Sequence, residues 1–152
     1  MVKLINIEPG SSASSLSLVR LEKVQKNLGV SFPQDYVGFL RDTNGGIPLN
    51  KYFSLEKNVK VVERFLSIVD GYRENPLGMY DVEVVWSQIE DRLDDSLVPF
   101  ASLFAGDFLC FLFRENSEPE VVIWDHERSR ENMPFLLSVA PSFSSFARML
   151  YW

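Results

Sequence analysis

A chain of 152 residues, 46% hydrophobic with 12 Phe and 3 Trp, is long enough for one well-filled core, short for two domains and too apolar for intrinsic disorder. A formal net charge of −6 is a poor match for nucleic acid, whose phosphates reward Lys and Arg; it suits a basic partner or ordinary solubility. No apolar run approaches the roughly 20 residues of a membrane helix, Met1–Ile7 followed by Glu8 is too short and acidic for a signal peptide, and the one cysteine has no intramolecular disulfide partner. These totals predict a single cytoplasmic domain over 1–152.

Residues 1–15 read as a short lead-in and a loop, with Pro9-Gly10-Ser11-Ser12 as a breaker. Leu18, Leu21, Val24 and Leu28 recur at helical spacing and form one apolar stripe, while Arg20, Glu22, Lys23, Lys26 and Asn27 fall mostly outside it. Serines 14, 15 and 17 offer N-caps, and Gly29 is a natural stop. Phe32-Pro33 opens a second helix with Pro33 at its first position; Asp35 complements the macrodipole, and Tyr36, Phe39 and Leu40 supply an apolar face. Asn44-Gly45-Gly46 tolerates positive φ and is expected to cap that helix. The pair makes a helical hairpin suited to packing on a sheet.

Tyr52–Leu55 reads as a first strand and Val59–Ile68 as a second with an imperfect period. Asp70-Gly71 and Asn75-Pro76-Leu77-Gly78 mark loops in residues 69–80, which receive no element. A helix is expected over Val82–Leu93, with Val82, Val85 or Trp86, Ile89 and Leu93 in register. Val98–Leu103 gives a weaker strand signal. Asp107–Phe113 and Val121–Trp124 are apolar runs bounded by turns, as for central strands buried on both faces, joined by a loop over residues 115–119. Phe143, Phe146 and Leu150 share one face of a closing helix capped near Ser142. The fold expected is α+β: an N-terminal helical hairpin packed on a central, mainly antiparallel sheet, with a middle helix and a C-terminal helix.

The chemistry-bearing residues are few. Cys110 lies mid-strand and is expected to be a buried, inert thiol. Asp125-His126-Glu127 holds the only histidine, yet no His or Cys at ligand spacing accompanies it. Asn44-Gly45-Gly46 lacks the Lys and Ser/Thr of a phosphate-binding loop. Gly106-Asp107 reads as a tight turn whose aspartate bonds local N–H groups. No catalytic, cofactor-binding or metal-binding residue is assigned. The acidic run is the one candidate surface: Glu83, Glu90, Asp91, Asp94 and Asp95, with Tyr80 as an aromatic anchor, could dock a basic protein.

The run LEKVQKNLGVSFPQDYVGFLRDTNGG resembles the opening signature of the SUKH superfamily: a helix ending in Leu-Gly, a Leu/Phe-Pro-x-x-Tyr helix, then Asn-Gly-Gly. The residues that carry the resemblance include Pro33, Tyr36, Asn44, Gly45 and Gly46. Downstream, Gly106-Asp107 before a central strand and Trp124-Asp125 at the end of its neighbour are similar to later motifs, so the resemblance runs from about Leu16 to Trp152. It implies the same α+β arrangement; no enzymatic activity is expected, because acid, base and nucleophile are not assembled anywhere in the sequence. Its functional implication is an immunity protein that binds and neutralises a cognate polymorphic toxin, often a nuclease and therefore basic. The alternative it implies is a regulatory interaction module, as in cell-wall regulation. It marks the scaffold rather than the contact residues, and leaves the oligomeric state open.

Overall fold

The computed structural model describes residues 3–94, 96–131 and 133–152. The first helix, α1 (Leu18–Leu28), starts at Ser17, whose Oγ accepts the Arg20 N–H at 3.2 Å. It ends in a Schellman turn: Gly29 takes φ 70°, its N–H donates to Lys26 O, and the Val30 N–H reaches Gln25 O at 3.0 Å. Leu21 and Val24 are buried, but Leu18 departs from the expected stripe and is 55% exposed, in the first turn of the helix.

Helix α2 (Gln34–Asp42) has Pro33 as its N-cap rather than its first helical residue, a shift of one position. Asp35 does more than complement the dipole. Its Oδ1 accepts the Tyr36 N–H at 2.8 Å, and its Oδ2 accepts both the backbone N–H and the hydroxyl of Ser144, at 2.9 and 2.7 Å. One carboxylate thereby fastens the start of α2 to the start of the C-terminal helix (Phe143–Met149), which is N-capped by Ser142 as expected.

The Asn44-Gly45-Gly46 expectation needs correction. Thr43, in extended conformation, is the residue that caps α2. Asn44 instead behaves as a length of strand made from a side chain. Its amide donates to Ile68 O and Ser14 O, its Oδ1 accepts the Ile68 N–H, and its backbone oxygen accepts the Ser67 hydroxyl, all between 2.7 and 2.9 Å. Gly46 and Phe65 exchange both backbone hydrogen bonds. A Cβ on Gly45 would lie 2.6 Å from Leu66 O and closer still to Ser67 Oγ, so the double glycine exists for close backbone approach.

Six strands, β1 (Tyr52–Leu55), β2 (Asn58–Phe65), β3 (Leu97–Leu103), β4 (Phe108–Leu112), β5 (Glu120–Trp124) and β6 (Leu136–Ala140), pair in chain order, every neighbour antiparallel. The fold is α+β. Strand β3 carries Pro99, unusual in a central strand, next to a bulge at Phe100 where the register with β4 shifts. The bulge turns Phe100 into the core, where its ring stacks on Phe111 with centroids 4.4 Å apart. Tyr36, Phe143 and Phe146 complete this aromatic cluster against α2 and the C-terminal helix.

The opposite face has its own core of Ile89, Leu93, Leu97, Cys110, Val122 and Trp124, with Trp86 half-buried beside them. Strands β4 and β5 are therefore covered on both faces, and Cys110 is buried. Helix α3 (Val82–Ile89) is shorter than expected, continuing as a 3₁₀ turn over Glu90–Arg92 that places Leu93 in that core. The C-terminal helix is α4. Residues 69–80 are a series of turns ending in a 3₁₀ turn at Gly78–Tyr80. Strand β6, at the free edge, is an element that the sequence pattern does not predict.

Candidate interaction surface

Asp81 is the most heavily bonded carboxylate described. Placed just before α3, it is fully buried and caps the helix: its Oδ1 accepts the Glu83 and Val84 N–H groups at 2.9 and 3.1 Å. Its Oδ2 accepts the Val69 N–H at 2.9 Å, and Arg20 from α1 pairs with its Oδ1 at 3.2 Å. Arg20 also meets Glu83 at 2.9 Å, while Asn27 donates to the other Glu83 oxygen. Glu83, one of the acidic candidates, thus has both carboxylate oxygens engaged inside the protein. Asp81 and Arg20 do not stand out among the candidates read from the sequence; the available signal is an aspartate immediately before a periodic apolar run.

Tyr80 is half-buried, with the Arg64 guanidinium 4.3 Å above its ring; Arg64 in turn donates to Ser11 O. Glu90, Asp91 and Asp94 are exposed, and Asp94 accepts the Ser96 N–H and hydroxyl. Asp95 lies outside the described residues. The acidic set is therefore split: Glu83 ties helices together, whereas Glu90, Asp91 and Asp94 face solvent.

The later motif residues converge at one end of the sheet. Asp107 precedes β4, and its Oδ1 accepts the His126 backbone N–H at 3.0 Å and faces His126 Nδ1 at 2.6 Å. A carboxylate has no proton to give, so Nδ1–H donates and Nε2 is left toward solvent and Glu127. Gly106 lies against the imidazole: a Cβ there would come within 3.4 Å of the ring. Asp125 folds its own loop, its Oδ1 accepting the Glu127 and Arg128 N–H groups at 3.0 Å. Trp124 is buried, donates its indole N–H to Arg92 O, and lies under the Arg92 guanidinium, which also donates to His126 O. Asp107, Asp125 and His126 could each offer a cation one atom within 4.8 Å, but Asp107 Oδ1 and His126 Nδ1 already share a proton.

Tyr36, the other motif residue with a polar atom, is fully buried and its hydroxyl has no hydrogen-bond partner among the described residues. Burial, and secondarily the Asp81 carboxylate, pushes its phenol well above the ordinary range. Burial raises the Cys110 thiol likewise. Neither group is poised to titrate near neutrality. Among the described residues, no helix is long and apolar enough to cross a membrane.

The fold is an α+β antiparallel meander whose polar side chains serve mainly to fasten its helices and loops, with the carboxylates of Glu90, Asp91 and Asp94 left outside, and its family is one of protein-interaction modules. The chain belongs to the SUKH superfamily: residues 19–146 match the family described as SUKH_6, SMI1-KNR4 cell-wall. No curated protein matches the chain.

Proposed function

We propose that this protein is an immunity protein that binds a basic toxin domain, such as a nuclease, in a stoichiometric complex in the cytoplasm, by contact rather than by turnover. The observation that supports this most is the exposed carboxylates of Glu90, Asp91 and Asp94 on a chain of net charge −6 in a family of interaction modules. A nuclease must attract phosphate, so its active face is basic. An acidic binder steers onto that face and covers it, with an association rate that falls as salt rises.

The test is protection. Cells expressing a basic nuclease toxin domain should survive when this protein is co-expressed and die without it, for one toxin and not for unrelated ones. Survival in no pairing would sink the immunity reading. A second reading, a regulatory module for a protein of the cell itself, draws on the cell-wall description of the matching family. It predicts no protection against any toxin and an altered envelope when the gene is removed.

A further inference from the structure

Resting on the interaction reading above, we propose that the docking site lies at the end of the sheet where the β3–β4 and β5–β6 loops meet. Its anchors are Phe104, Met133 and Phe135, and its occupant is a basic protein surface. Three observations converge there. Phe104 and Met133 are 62% and 67% exposed, and Phe135 is 37% exposed with the Arg128 guanidinium 4.9 Å from its ring centre, so three large apolar side chains reach the surface on two adjoining loops. The loops touch through Gly106 against His126 and are bolted by the Asp107–His126 pair.

The second observation is strain. Ala105 sits in the left-handed region at φ 75°, a conformation that costs an L-residue roughly 1–2 kcal/mol. A residue held there beside an exposed phenylalanine is what a presented anchor requires. The third is preorganisation: Arg130 and Met133 exchange backbone hydrogen bonds, and Ser129 Oγ accepts the Phe135 N–H at 2.9 Å. A loop already fixed loses little entropy on binding.

Charge identifies the occupant. Glu127 and Glu131 on the same loop are exposed, as are Arg128, which pairs with Asp125 at 3.7 Å, and Arg130; Arg92, bonded to both Trp124 and His126, brings the exposed Glu90 and Asp91 alongside, so four exposed carboxylates stand against two exposed guanidiniums. Apolar anchors in surroundings where carboxylates outnumber guanidiniums complement a surface of Lys and Arg around a small apolar pocket.

The experiment compares wild type, a Phe104→Ser/Phe135→Ser double variant and a Val19→Ser control, whose exposed valine lies on α1. Binding to the inactivated basic nuclease domain that wild type protects against should weaken at least about tenfold in the double variant and stay unchanged in the control. Equal binding by the double variant overturns the site while leaving the immunity reading standing. If no toxin is found, that reading falls and amide-shift mapping with cytochrome c, a small basic protein, decides the site. Shifts concentrated in residues 90–92, 104–107 and 125–135 support it; shifts centred elsewhere overturn it.

Discussion

Arg20 on α1 and Asp81 at the head of α3 form a part-buried ion pair at 3.2 Å, and Asp81 itself is fully enclosed. The carboxylate also satisfies three backbone N–H groups. Removing it leaves those N–H groups without their acceptor, takes from Arg20 one of its two carboxylate partners and uncaps a helix at once. Asp81→Ala should lower unfolding free energy in urea by about 3–5 kcal/mol. Arg20→Met, which replaces one partner with an apolar stem but leaves the carboxylate its N–H donors, should cost less. Equal losses from the two variants would show that the pair, not the cap, dominates.

Tyr36 buries a hydroxyl that has no partner among the described residues. Tyr36→Phe should therefore be neutral or stabilising by up to about 1 kcal/mol, since an unpaired buried polar group contributes only its desolvation cost. The pH sign follows from the raised phenol. The folded state holds this proton more tightly than the unfolded chain, so stability is unaffected below the ordinary value of 10.0 and falls as pH rises above it. Urea titrations at neutral pH and above about pH 10 should show a smaller alkaline loss for the phenylalanine variant.

Two glycines separate close approach from backbone conformation. Gly29 has φ 70°, and a Cβ added there would meet nothing within 4 Å, so Gly29→Ala should cost about 1 kcal/mol, the left-handed penalty alone. Gly45 has nearly the same φ, 71°, but three oxygens within 2.7 Å of the added carbon. Gly45→Ala should cost at least about 3 kcal/mol, because the Asn44 segment must move off the Phe65-to-Ile68 backbone it pairs with. Matching thermal shifts for the two variants would contradict this account of the double glycine.

Ala105→Gly relieves a left-handed alanine and should raise stability by about 0.5–1 kcal/mol, the left-handed penalty less the entropy of the added glycine. It should also loosen Phe104 and weaken partner binding. A gain in stability with unchanged binding would separate the strain from the docking site.

Local chemistry makes much of the fold legible. Ser17, Gly29 and Ser142 act at helix ends within a few residues of themselves, and each does what its type predicts. The central strands β4 and β5 are legible because burial on both faces leaves an uninterrupted apolar run. Strand β6 is not. Leu136-Leu137-Ser138-Val139-Ala140 is a short, half-exposed edge whose alternation is broken where its register with β5 shifts, so it looks like loop. The site is hidden for a different reason. Asp81 and Arg20 are 61 residues apart, and Asp107 reaches His126 across 19; neither pairing leaves a trace in local spacing. Charge alone does not separate Glu83, bound to Arg20 and Asn27, from Glu90 and Asp91, which are exposed.

The proposed immunity function requires acidic, stoichiometric contact between this module and a basic toxin domain. Calorimetric titration of the purified protein into an inactivated nuclease domain, at about 0.05 M and about 0.5 M salt, tests it most directly. A 1:1 complex whose affinity falls clearly at the higher salt is the predicted result. No complex with any toxin domain, or an affinity indifferent to salt, would contradict it.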